Sequence, residues 1–278
     1  MAHWQGYELL QAVDVVAGYP GRPSVLHGVS IEVPTGGFVG ILGPNGSGKT
    51  TLLRALAGVI RPARGHIRLD GQDLTPLSRQ ALARRMAVVA QETHLAFDYS
   101  VLEVVMMGRY PHLATFEIEG PEDFSIAREA MRATGTLQLQ ERQFATLSGG
   151  EKQRVIVAAA LAQISGAADD GILLLDEPTV ALDLAYQLEL GELLRERQRR
   201  VPLTIAVSTH DLNFAANLCR TLVLLKDGHV LAAGSTGDVL TSEHIRELYD
   251  VEADVTRHAP TGRVIVIPVR RSPARSQS

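Results

Sequence analysis

The stretch Gly43-Pro44-Asn45-Gly46-Ser47-Gly48-Lys49-Thr50, followed by Thr51, has the spacing G-x-x-x-x-G-K-[ST]. Glycines so placed let successive backbone N–H groups converge on an anion at the positive end of the following helix. Lys49 would then reach the β- and γ-phosphates of a nucleoside triphosphate, and the Thr50 hydroxyl would ligate Mg²⁺. A second group with chemistry to offer is Asp176-Glu177, which closes the apolar run from Gly171 to Leu175. Adjacent acids at such a boundary can cap a helix or sit in a solvated turn. In a chain that also holds a phosphate loop, an Asp there is suited to hold Mg²⁺. Glu177 would be left facing the γ-phosphate, placed to orient or deprotonate a water.

Three further positions stand at similar boundaries. His210 follows the apolar run Leu203 to Ser208, so it is either structural or shares a sheet edge with the two acids. Tyr19 lies where a strand gives way to the turn Ala17-Gly18-Tyr19-Pro20-Gly21; its ring either packs or stacks on a nucleotide base. Leu147-Ser148-Gly149-Gly150-Glu151 opens a long helix in which Ser148 and Glu151 form a capping box. Capping does not explain the glycines, which cost a helix roughly 1 kcal/mol each relative to alanine. Close approach of an anion to bare N–H groups is the expected reason. His112, alone in the Gly108–His112 segment without a paired ligand at metal spacing, is expected to be a solvated loop residue.

These residues need a sheet to hold them, and the chain supplies one. Phe38–Leu42, Met86–Ala90, Gly171–Leu175 and Leu203–Ser208 read as buried strands, and the strand from Met86 runs out at Gln91. Glu8–Val16 and Val25–Val33 alternate as an antiparallel pair, while Asp70-Gly71 and Asp227-Gly228 mark hairpin turns. From Glu92 to Ser165 strand signals give way to helical spacing, as in Val101–Met106 and Glu122–Thr134. Helices are also expected at Leu77–Arg85, Leu184–Gln198, around Asp238 and at Ile245–Tyr249, with a last strand at Val264–Val269 and a frayed tail from Ser272. Asp211 is expected to cap the helix after His210.

Composition bounds the rest. The 278 residues are 45% hydrophobic and 21% charged, which is an ordinary globular balance, and the net charge of −4 with no basic block predicts no nucleic-acid partner. One cysteine, Cys219, in an apolar helical context, excludes an internal disulfide and fits a reducing compartment. The N-terminus lacks the pattern of a secretory signal, and no apolar run approaches the roughly 18 residues of a membrane span. If the protein works at a membrane, another chain must do the spanning.

Taken together, the chain resembles the nucleotide-binding subunit of an ATP-binding cassette (ABC) transporter, with the family's motifs in order from Tyr19 to Gly234. That resemblance implies an α/β fold: a P-loop NTPase (RecA-like) core with an antiparallel β subdomain and an inserted α-helical subdomain. It implies one ABC ATPase domain over 1–278, with residues 1–91 and 166–278 forming the core and 92–165 the helical part. It assigns Tyr19 to adenine, Gly43 to Thr51 to the phosphates and Mg²⁺, and Gln91 to Mg²⁺, the attacking water and communication with a membrane partner. Asp176 becomes the metal-holding acid, Glu177 the catalytic acid, His210 the switch histidine, and Leu147–Glu151 the signature. ATP and Mg²⁺ are the implied ligands. The implied assembly is a head-to-tail homodimer with two ATP sites at the interface, although a related second subunit is open. It would sit peripherally on the cytoplasmic face of the inner membrane against integral permease subunits, served indirectly by a periplasmic or extracellular substrate-binding protein.

Two positions depart from the pattern. Val180 stands where the family usually has Ser, which puts coupling between the two sites in doubt, and Ala159 stands where an Arg is common, which removes a possible ion pair. Met107–His112 and Thr261–Arg263 are similar to the subgroup that powers bacterial import of ferric siderophores, cobalamin or haem, and the extra residues between Gln163 and Gly171 to its haem-type members. The alternatives are the ATPase of another ABC transporter, exporter or importer, or a soluble non-transport ABC ATPase.

Overall fold

The computed structural model describes residues 9–91, 97–166, 171–180 and 182–272. Strands β1 (Leu9–Gly18) and β2 (Ser24–Pro34) pair antiparallel, as their alternation predicts. Strand β3 (Phe38–Leu42) follows, buried along its whole length, and leads through the glycine loop into helix α1 (Lys49–Leu56). Next come β4 (Arg64–Leu69) and β5 (Gln72–Asp73), joined at Asp70 and Gly71, both with positive φ as a tight hairpin turn requires. These complete a four-stranded antiparallel sheet in the order β2-β1-β4-β5.

Helix α2 (Arg79–Arg85), capped by the Ser78 hydroxyl, gives way directly to β6 (Met86–Val89). The helices α3 (Val101–Met106), α4 (Pro121–Ala133) and α5 (Gly149–Ile164) then pack on one another. Beyond them run β7 (Ile172–Asp176), α6 (Leu184–Arg200), β8 (Thr204–Thr209), α7 (Leu212–Leu218), β9 (Thr221–Lys226) and β10 (His229–Ser235). The second sheet has the order β10-β9-β3-β8-β7-β6, parallel apart from the β9–β10 hairpin. Its strands alternate between two cores. Val39 and Ile41 of β3 and Ile172 and Leu174 of β7 face Leu52, Leu53 and Leu56 of α1 and the antiparallel sheet. Phe38, Leu42, Leu173 and Leu175 face the other way, toward Val155, Val157 and Leu161 of α5. Residues buried on both faces of a sheet read as unbroken apolar runs, which is why these strands were legible.

Three expectations need correction. Gly108–His112 is no open loop: Met107–His112 form a 3₁₀ helix with Pro111 inside it. A Cβ on Gly108 would come 2.2 Å from the Ala159 carbonyl oxygen, so the glycine lets this turn lie against α5. Arg109 is 5% exposed; its Nε donates to Asp123 Oδ1 (3.0 Å) and its Nη1 to the Ala162 and Ser165 carbonyls (2.7 and 2.9 Å). His112 is half-buried rather than solvated: its Nε2 donates to the Gln163 carbonyl at 2.6 Å and burial lowers its pKa. The C-terminal strand, extended to β12 (Val264–Arg271), pairs with β11 (Val251–Arg257), which lies beyond α8 (Thr236–Val239) and α9 (Ser242–Tyr249). In β11 only Ala253 is buried, so it gave no apolar signal. Cys219 lies one residue past α7, and burial raises its thiol pKa far above the ordinary range. The expected tail beyond Ser272 and the insertion at 167–170 lie outside the described residues.

Arg109 yields a stability test. Arg109→Met should lower unfolding free energy by about 3–5 kcal/mol in urea denaturation, because Asp123 and two carbonyls are left buried without their donor. Arg109→Lys should recover little of it, since a point charge cannot serve three acceptors arranged for a planar fork.

Candidate active site

Three strands of the parallel sheet deliver the site, and each does so at its C-terminal edge. From β3 comes the phosphate loop. A Cβ on Gly43 would lie 2.2 Å from the Leu225 carbonyl and 2.5 Å from Ser47 Oγ, and Gly48 enters α1 at φ 105°; both positions require glycine. Lys49 folds back over this turn. Its Nζ donates to the Gly43 and Pro44 carbonyls (2.8 and 3.2 Å) and pairs with Glu177 Oε1 at 2.9 Å, so all three ammonium hydrogens are engaged.

From β7 come Asp176 and Glu177. The Thr50 hydroxyl donates to Asp176 Oδ1 at 3.1 Å, and the Ser208 hydroxyl donates to the same oxygen at 2.7 Å. Glu177 has φ 46°, a left-handed conformation that strains a non-glycine residue by about 1–3 kcal/mol. Its N–H donates to the Ser208 carbonyl (3.1 Å) and lies within hydrogen-bond distance of Ser208 Oγ (3.0 Å), which fixes the turn. Ser208 is at the end of β8, fully buried, and sequence reasoning missed it. The signal available was its place beside Thr209-His210 at a strand end.

From β8 also comes His210, whose Nδ1 lies 3.1 Å from Glu177 Oε2. Its ring is half-exposed while the Glu177 carboxyl is almost wholly buried. Burial alone would raise the Glu177 pKa; the hydrogen bond and charge of Lys49, and then His210, outweigh it and hold the carboxyl below its ordinary range. Asp211 caps α7 as expected, accepting from the Phe214 N–H at 2.9 Å. A second residue missed from sequence is Tyr249, at the end of α9. Its hydroxyl is buried near the Gly43 backbone and the Glu177 and Asp211 carboxylates, and burial pushes its pKa well up.

The remaining candidates lie apart from this cluster. Gln91 is exposed two residues past β6, whose register pairs Val89 with Leu175, so it stands on the same sheet edge as the acids. Tyr19 is half-buried, and its hydroxyl accepts from Arg54 of α1 at 3.0 Å. Ser148 and Glu151 form the predicted box: the Ser148 N–H donates to Glu151 Oε2 at 2.8 Å and Ser148 Oγ accepts from the Glu151 N–H at 3.3 Å. Ser148 and Gly149 are exposed, and among the described residues no hydrogen bond or ion pair joins them to the phosphate loop. Gly150 differs from expectation in having a packing reason of its own, because a Cβ there would come 2.7–2.8 Å from the ring of Tyr186.

Chemically, the edge presents a loop of backbone N–H groups, a buried cation, a hard-oxygen pair in Thr50 and Asp176, and an ionised carboxylate bonded to a histidine. That set suits binding and attack at a phosphoryl group. Comparison with known proteins agrees. A model described as ABC transporter matches residues 26–180. The ferric enterobactin transport ATP-binding protein FepC of Escherichia coli is 37% identical, over 95% of this chain and 95% of its own length. The hemin import ATP-binding protein HmuV of Bordetella pertussis is 42% identical, over 93% of this chain and 98% of its own. Among solved structures, the dimeric structure of a bacterial ABC transporter cassette is similar with a TM-score of 0.70 at 28% identity, covering 82% of this chain and 98% of that one.

Proposed function

The chain belongs to the ABC transporter family, and from that premise we propose that it is the ATP-hydrolysing subunit powering import of an iron complex, as ferric siderophore or haem, or of cobalamin, through a separate membrane permease. The observation that carries the ATPase reading is the meeting of Lys49, Thr50, Asp176, Glu177 and His210 at one sheet edge. The cargo class rests on the relatives named for ferric enterobactin transport and hemin import.

In this reading the Gly43–Thr51 loop cradles the phosphates and Tyr19 stacks on the adenine. Lys49 exchanges the two loop carbonyls and Glu177 for β- and γ-phosphate oxygens. Loss of that ion pair raises the affinity of Glu177 for a proton, which a general base needs. Glu177 then takes the proton from a water whose oxygen attacks the γ-phosphorus; the P–O bond to ADP breaks, and His210 holds the carboxylate in line. Thr50 and Asp176, with Gln91 beside them, are the hard-oxygen donors that would hold Mg²⁺. Mg²⁺ held there would supply positive charge to offset the negative charge that develops on the phosphate in the reaction.

Ser148–Glu151 of a second copy would close over the γ-phosphate, giving a homodimer with two sites, as the exposed signature start supports. Residues 1–91 and 166–278 form the nucleotide-binding core, and 92–165 the helical subdomain. Among the described residues no helix is long and apolar enough to cross a membrane. In this reading, supported by the relatives named for transport and import, the subunit docks peripherally on permease subunits at the cytoplasmic face of the inner membrane, and a substrate-binding protein serves the complex from the other side.

Co-expression with the permease encoded beside it should give a complex that co-purifies and, in vesicles, takes up ferric siderophore, haem or cobalamin only with internal MgATP. MgATP hydrolysis without association with any permease would overturn the transport reading in favour of a soluble ATPase. Export of cargo would reverse its direction.

A further inference from the structure

Helix α6 begins seven residues after Glu177, with Asp183 Oδ1 accepting from the Tyr186 N–H at 3.0 Å. The Tyr186 ring lies flat beneath the first turn of α5: a Cβ on Gly150 would meet Cγ, Cδ1 and Cδ2 at 2.7–2.8 Å. Contact with three ring carbons at nearly equal distance means that the face of the ring, not its rim, supports the backbone. One turn along α5, the Arg154 guanidinium sits 5.3 Å above the centroid of the same ring. Arg154 Nη1 in turn donates to Glu189 Oε2 at 2.7 Å, one turn along α6. Two successive turns of α5 are thus clasped to the first two turns of α6.

The consequence is mechanical. Val180 N–H donates to the Glu177 carbonyl and Leu182 N–H to that of Thr179, and the next residue, Asp183, is the cap of α6. Tyr186, three residues past that cap, carries the Ser148–Gly150 turn. We propose that Tyr186 is a positioning residue that ties the Ser148–Gly150 turn, which completes the partner's site, to the Glu177–Asp183 segment of its own site. The two ATP sites of a dimer are thereby made to act together. The inference rests on the head-to-tail reading above. It also supplies, within each chain, a link between sites that does not need the hydroxyl missing at Val180.

The test is the ATP dependence of hydrolysis by the full-length chain, with binding of a fluorescent ATP analogue measured alongside. Wild type should show a Hill coefficient above one. Tyr186→Phe keeps the flat face and the cation–π contact and should match it. Tyr186→Ala should bring the Hill coefficient to one and lower kcat severalfold, with analogue affinity changed less than twofold. Tyr186→Leu, which keeps apolar volume and so guards against unfolding, should also lose cooperativity. Gly150→Ala should impair wild type more than it impairs Tyr186→Ala, since the clash is with the ring. Retained cooperativity in Tyr186→Ala and Tyr186→Leu, or equal damage in Tyr186→Phe, would overturn the role of Tyr186 and leave the paired sites standing. A wild type that hydrolyses ATP with a Hill coefficient of one would overturn the coupling of the paired sites as well.

Discussion

Glu177→Gln is expected to lower ATP turnover by about 10²–10⁴-fold, the usual worth of a positioned general base, while ATP still binds. The amide keeps the shape and the hydrogen bond to His210 but cannot accept a proton from water. Binding should not weaken, because the carboxylate that competes with phosphate for Lys49 has been neutralised; the present pair is 2.9 Å long and almost fully buried. Phosphate release and equilibrium binding of a fluorescent ATP analogue measure the two effects separately. Unchanged turnover would remove Glu177 from the reaction.

Lys49→Ala should abolish measurable ATP binding and also destabilise the fold, through the same buried pair. Without the ammonium, Glu177 keeps its desolvation and loses its main opposing interaction, at a cost of about 3–5 kcal/mol. The sign with pH separates this from simple loss of packing. In wild type the depressed Glu177 pKa contributes stability that is present above the ordinary carboxylate range and lost as pH falls through the lowered value. In the variant the lowering by Lys49 is gone and only His210 opposes burial, so the pKa moves up and ionisation favours folding less. Urea denaturation should therefore show a larger deficit at about pH 7 than at about pH 4, near the unperturbed carboxylate value. An equal deficit at both would assign the loss to packing alone.

What the sequence disclosed followed from how strongly each residue's neighbours are local. The loop at Gly43–Thr51 was legible because backbone geometry dictates its spacing, and the strands feeding it because burial on both faces leaves unbroken apolar runs. The sheet edge could be anticipated since Asp176, Glu177 and His210 each follow such a run. The contacts among them could not, because Tyr249 reaches the site from a remote element and Ser208, although it stands in the same run that leads to His210, bonds Asp176 only across the sheet. The same holds for Tyr186, which gives Gly150 a packing reason besides the approach of an anion. Arg109 and His112 were misread for a related cause: Gly and Pro argued for an open loop, whereas Ala159, Ala162 and Gln163 of α5 supply the partners of a packed 3₁₀ turn. β11 was missed since its face is mostly exposed.

The central claim is that each catalytic edge is completed by the Ser148–Glu151 turn of another copy, and mixing two inactive variants tests it most directly. Glu177→Gln lacks the base but keeps the signature, whereas Ser148→Arg keeps the base but obstructs the signature. In a mixed head-to-tail dimer one site pairs an intact Glu177 edge with an intact Ser148 turn. Random mixing should therefore restore turnover above that of either variant, with roughly a quarter of wild type as the ceiling, because half the dimers hold one good site of two and the coupling between sites lowers it further. If the mixture shows no more activity than the two variants measured separately, the site does not span two copies in the way described.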